Sequence, residues 1–157
     1  MPQFATKRRV RHTASDMFDL VADGEKYPLF VPLCSALKIK SRTAKGDGIT
    51  VMVADMTVAY KFIRQTFTSC VTLDRSSLKI VVEYLDGPFS RLQNRWTFHP
   101  AGDCANKQAC DVEFFIDYEF KSRTLAMLMG AMFDTAFRKF AVAFEKRADE
   151  IYGRKSV

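Results

Sequence analysis

The chain has 157 residues, a length that suits one domain able to bury about two thirds of its unfolded surface and leaves little room for a second core. Hydrophobic residues make up 48%, near the globular average, and no run of about 18 uncharged apolar residues occurs, so neither a disordered nor a membrane-spanning class is indicated. Lysine and arginine outnumber aspartate and glutamate by 24 to 18, for a net charge of +6, which suits an anionic membrane surface, nucleic acid or an acidic partner and equally suits plain solubility.

The basic N-terminus, Met1 to Arg11, is not followed by an apolar stretch, so no secretory signal is read and a cytoplasmic chain, able to approach the inner membrane peripherally, is expected. Cys34, Cys70, Cys104 and Cys110 form no C-x-x-C pair and stand beside only two histidines, which points to free thiols rather than a metal cluster. Fourteen phenylalanines and seven methionines exceed what a small core needs for closure, and a roomy apolar interior is expected.

Gln3 to Arg11 reads as a first strand, and Thr13-Ala14-Ser15-Asp16 as a capped helix start, with a hydroxyl to accept from free amides and an acid at the dipole's positive end. Met17, Phe18, Leu20 and Val21 recur at helical spacing until Asp23-Gly24 stops them, and the two prolines of Tyr27–Cys34 bracket a second short helix or turn. From Ala36 to Phe120 the period becomes two, broken by turn signals at Lys45–Gly48, Asp74–Ser77, Asp86–Pro88 and Pro100–Asp103. Val51–Val53, Ile63–Leu73, Lys79–Leu85, Arg91–His99 and Asp111–Phe120 are the clearest strands. The last sets Val112, Phe114, Ile116, Tyr118 and Phe120 against a solvated face with Glu113, Asp117 and Glu119. Arg123 to about Tyr152 reads as one long helix, roughly 40 Å at 1.5 Å per residue, with Leu125, Leu128, Met129, Met132, Phe133, Phe137 and Ile151 on a broad apolar stripe and Met127 nearly opposite. The expected architecture is α+β: a curved antiparallel sheet of six to seven strands around a long C-terminal helix, in a single domain over 1–153 with a loose tail at 154–157.

Two segments carry a family likeness: Phe18-Asp19-Leu20-Val21-Ala22-Asp23 running into Tyr27-Pro28-Leu29-Phe30-Val31-Pro32-Leu33-Cys34, and Gly87-Pro88-Phe89-Ser90-Arg91-Leu92-Gln93-Asn94-Arg95-Trp96-Thr97-Phe98. Both resemble signatures of the coenzyme Q-binding START-like family, whose bacterial members include the ribosome-association toxin group, within the wider polyketide cyclase/dehydrase superfamily. The resemblance implies a helix-grip fold with a deep apolar tunnel, and a part in delivering or chaperoning a polyisoprenoid quinone in respiration.

The residues offer a lining for such a tunnel. On the helix these are Leu128, Met129, Met132, Phe133 and Phe137, the methionines being able to repack around a guest; on the strands they are Trp96, Phe98, Phe114 and Tyr118. The same side chains would serve an ordinary filled core. Asn94 shares strand phase with Leu92, Trp96 and Phe98, so its amide should meet a quinone oxygen or bond a neighbouring segment; Gln65 is a weaker version of the idea. Arg8 is expected at the mouth or snorkelling to water.

No G-x-S-x-G, phosphate-binding loop or H-E-x-x-H is present, so no catalytic group, metal or cofactor is assigned and a ligand carrier is expected rather than an enzyme. A ribosome-directed protein is the alternative. It would use the basic rows Lys7, Arg9, Arg11 and Lys38, Lys40, Arg42, which would serve equally for an anionic membrane. A cyclase-type enzyme is the third class, since such activity leaves no short motif.

Overall fold

The computed structural model describes residues 3–60, 63–101 and 109–152, so Cys104, most of the turn after Pro100 and the expected tail at 154–157 lie outside the described residues. The chain runs β1 (Gln3–Val10), α1 (Ala14–Ala22), a 3-10 turn (Gly24–Leu29), then β2 (Cys34–Gly46), β3 (Ile49–Tyr60) and β4 (Ile63–Asp74). It continues through β5 (Lys79–Asp86), β6 (Phe89–Ala101) and β7 (Ala109–Phe120) into α2 (Arg123–Tyr152). Helix α1 opens on Thr13, whose hydroxyl accepts the Asp16 amide at 3.0 Å, the cap that the sequence predicts.

All seven strands join one antiparallel sheet in the order β1-β7-β6-β5-β4-β3-β2, so the first two strands in sequence form its opposite edges. Three register shifts in β2, between Cys34 and Ala36, Ile39 and Ser41, and Ala44 and Gly46, bend that edge as bulges do. The β2–β3 turn takes left-handed backbone at Gly46, Asp47 and Gly48. At Gly87, between β5 and β6, φ is 144° and a Cβ would lie 2.6 Å from that of Phe67, so this turn admits glycine alone.

Helix α2 lies across the concave face, packing on β7, β1 and α1. Three long-range polar contacts fix its second half. The Arg8 guanidinium pairs with Glu145 at 2.6 Å, the fully buried His12 holds its Nε2 2.7 Å from Asp149 Oδ1, and the Tyr152 hydroxyl donates to the Asp16 carbonyl at 3.2 Å. Arg8 is thus a staple between β1 and α2 and stands outside the lining of the cavity between α2 and the sheet. The buried stripe of α2 follows Met129, Phe133, Ala136, Phe137, Phe144 and Ala148. Leu128 and Ile151, expected on that stripe, are 51% and 49% exposed, because one residue of helix turns a side chain about 100° from its neighbour and Leu128 precedes the fully buried Met129. Met127 is 84% exposed, as its phase requires.

The convex face is polar. Arg91 bridges Asp117 and Glu119 at 3.0 and 3.3 Å, Thr57 and Thr66 bond at 2.8 Å, and His99 is half exposed and paired with Glu113.

Candidate functional site

Between α2, the end of α1 and the concave faces of β2 to β7 lies a cavity of about 130 Å³. Helix α2 contributes Phe133, Ala136, Phe137, Phe140 and Phe144 to it; β3 contributes Met52, Ala54, Met56 and Val58, and β4 Phe67, Ser69 and Val71. Leu37, Val82 and Trp96 continue the wall. An apolar space of about 150 Å³ takes a benzene-sized guest, so a space of this size matches a single ring. Aromatic side chains occupy the groove beside it.

Of the ten residues expected to line it, Asn94, Trp96, Phe114, Phe133 and Phe137 do so. The other five lie elsewhere. Phe98 is buried behind Trp96, nearly parallel to it at 6.2 Å, with its other side against Phe18. Tyr118 is sealed among Phe89, Phe133 and Phe137, with centroid distances of 6.1, 5.8 and 5.3 Å, and burial, helped by Asp134, pushes its phenol up to about 12. Met129 is fully buried outside the lining, Met132 is half-buried and Leu128 faces out, so no methionine of α2 walls the space. Gln65 is likewise half-buried and outside the lining.

Trp96 forms one wall, its ring held edge-on by Phe114 at 4.7 Å and Phe144 at 5.0 Å. Asn94 does point inward, but its Nδ2 donates to the Phe115 carbonyl at 2.9 Å, so the amide is already tied to the sheet. Strand phase also brings in a polar group that the sequence reading passed over. Ser69 shares the phase of Phe67 and Val71 on β4, is 4% exposed, and its hydroxyl has no hydrogen-bond partner. Leu33, at the rim, holds a left-handed backbone (φ 67°) that is costly for a branched side chain; its carbonyl is fixed by the Ala59 amide at 2.9 Å.

The titratable groups nearby keep their protons at neutral pH. Burial raises the Tyr27 phenol, which donates to the Val21 carbonyl, and lifts the Cys34 thiol to about 11. Cys110, in the core at the start of β7, is pushed up to about 12 by burial and then by Asp111. The thiols of Cys34, Cys70 and Cys110 are free.

The basic rows fare unevenly. Arg9 pairs with Asp111, Lys7 sits opposite Glu113, Lys38 opposite Asp55, and Arg42 lies 3.7 Å from Glu25, so both rows are partly countered. A different cluster emerges on the convex face. Adjacent register rows Ala5–Phe115–Arg95–Val81 and Lys7–Glu113–Thr97–Lys79 line one depression, in which the Arg95 guanidinium lies 4.6 Å above the Phe115 ring. The signal was an aromatic out of phase: Phe115 stands on the solvated side of β7, between Glu113 and Asp117.

The family described as polyketide cyclase / dehydrase and lipid transport matches residues 10–145, which takes in β2 to β7, α1 and most of α2. The chain belongs to this family. Within it, the ribosome association toxin RatA of Escherichia coli K12 is 32% identical over 155 residues, 99% of this chain and 92% of that protein. The mitochondrial coenzyme Q-binding protein COQ10 homolog B of Xenopus laevis is 29% identical over 99% of this chain and 61% of its own length. The solution structure of an 18 kDa protein from Caulobacter crescentus superposes with a TM-score of 0.78 at 32% identity, covering 98% of this chain and 100% of that one. Among the described residues, no helix is long and apolar enough to cross a membrane.

Proposed function

We propose that this family member binds the ring of a hydrophobic, isoprenoid quinone-type lipid in the cavity and acts as its carrier or chaperone in respiration. The observation that carries this reading is the fit between an apolar space of about 130 Å³, walled by Trp96, Phe114, Phe137 and aliphatic side chains, and a single flat head group. The tail of such a lipid exceeds the space and extends beyond it. Removal of apolar surface from water supplies the affinity at roughly 25 cal/mol per Å². Likeness to a coenzyme Q-binding protein supports the choice of ligand. Organic extraction of the purified protein from a quinone-replete host, followed by mass spectrometry, tests it: a quinone should copurify, and a clean extract overturns the reading.

One observation favours a second reading, contact with ribosomal RNA. The Arg95–Phe115 pair between exposed Lys7 and Lys79 offers a cation and a π face together, the combination on which unstacked bases and phosphates settle, and the chain is similar to ribosome association toxins. Cosedimentation with large ribosomal subunits should then weaken as salt rises and vanish in Arg95→Glu; retention by that variant removes the reading.

A further inference from the structure

Resting on the lipid reading, we infer that Ser69 is the polar anchor of the cavity, and that the ligand presents an oxygen, a ring carbonyl or a ring hydroxyl, to its Oγ. A hydroxyl with no partner in an apolar surrounding costs stability, and proteins normally satisfy such groups. Here the group sits in the middle of β4, 4% exposed, with Ala54 opposite it on β3 and Tyr84 on β5. Those neighbours cannot satisfy it. Ala54 has no polar side-chain atom, and the Tyr84 hydroxyl accepts the Phe89 amide at 3.0 Å some distance down the hairpin. The backbone on both sides is engaged in uninterrupted pairing from Ser69 to Asp74.

The same spot is where the wall is thinnest. Ala54 and Ser69 are small and adjacent across the β3–β4 pair, so the floor recedes there while Phe67 and Val71 rise on either side of the serine. A ring that enters to fill the space places its edge over Oγ. Asn94, with one amide hydrogen committed to the Phe115 carbonyl, lies by register two strands away and one pleat repeat along, about 12 Å between Cα atoms at 4.8 Å per strand and 3.4 Å per residue, so it cannot serve the ligand oxygen that meets Ser69. A serine hydroxyl both donates and accepts, so it serves a quinone carbonyl or the corresponding hydroquinone.

The test uses three ring-sized probes: toluquinone, toluhydroquinone and p-xylene, titrated while the indole N–H resonance of Trp96, the chain's single tryptophan, is followed by NMR. In Ser69→Ala, binding of toluquinone or its hydroquinone should fall about two- to tenfold, the ratio that one neutral hydrogen bond supplies. Whichever of the two falls more identifies the redox form recognised. Affinity for p-xylene should not change, and the melting temperature of the ligand-free variant should equal or exceed that of the wild type, since the removed hydroxyl had no partner. Ser69→Thr should retain the preference for the oxygenated rings. Equal losses for all three probes, no loss for any, or a lowered melting temperature without ligand overturns the assignment and leaves the lipid reading intact. A wild-type protein that binds none of the three removes both.

Discussion

Beneath α2 the concave face of β6 and β7 carries Phe89, Trp96, Phe98, Phe114, Tyr118 and Phe120, and the rings of Phe133, Phe137 and Phe144 descend onto them at centroid distances of about 5 to 6 Å. On β2 to β4 the same face carries Leu37, Ile39, Ala54, Val58, Ser69 and Val71, and α2 does not settle on it. One half of the groove is tiled with large flat side chains and closed. The other carries mostly small and aliphatic side chains, with Phe67 the exception, and keeps a space. Phenylalanine serves both halves: its rings pack the groove beneath α2, and Phe67, Phe114, Phe137 and Phe140 also wall the space that remains beside the aliphatic strands.

The largest effect that tests this division is on the closed half. Phe114→Ala should cost about 3 to 5 kcal/mol in denaturant melts, because that ring touches Phe4, Trp96, Phe137 and Phe140 and the surroundings cannot collapse into its place. Val71→Ala, on the open half and only half-buried, should cost about 1 kcal/mol. Comparable losses would mean that the two halves are equally packed.

An intermediate effect comes from alkaline titration. The Cys110 thiol, buried on the closed half, is raised from 9.0 to about 12, so the folded state holds its proton where the unfolded chain releases it. Stability from this group is complete below pH 9 and is lost as pH rises from 9 towards 12, by about 1 kcal/mol at pH 10. Urea melts at pH 7 and pH 10 should show that loss, and Cys110→Ala should shrink it; a difference unchanged in the variant would place the alkaline sensitivity elsewhere. The smallest effect is expected at Leu128→Ala, within about 0.5 kcal/mol, since that side chain belongs to neither half. A loss above 2 kcal/mol would return Leu128 to the core.

The architecture was legible because each device that sets it is local. Thr13 and Asp16 announce α1, Gly46 to Gly48 and Gly87 mark turns where left-handed or crowded backbone is required, and the alternation of β7 survives intact as buried and solvated faces. The site was legible only in part, because phase gives the face of a strand and not the depth of the neighbours. Phe98 and Tyr118 have the right phase but lie behind other rings, and Met129 is on the stripe but where the helix meets the sheet. Ser69 has the same phase as Phe67 and Val71, and its polarity within the run Thr66-Phe67-Thr68-Ser69-Cys70 hid it among side chains that face water.

Pairing of β1 with β7 fixes the order in which the chain can become itself during synthesis. Gln3 meets Asp117 and Val10 meets Cys110, and Arg8 and His12 find Glu145 and Asp149 137 residues later. The first strand thus has no sheet to join until the seventh has been made, and the concave face has no cover until α2 follows. Contacts of such span make folding slow, on the scale of milliseconds to seconds, and a nascent chain halted before Arg123 lacks the 30-residue helix that covers its aromatic groove, leaving that apolar surface open to aggregation.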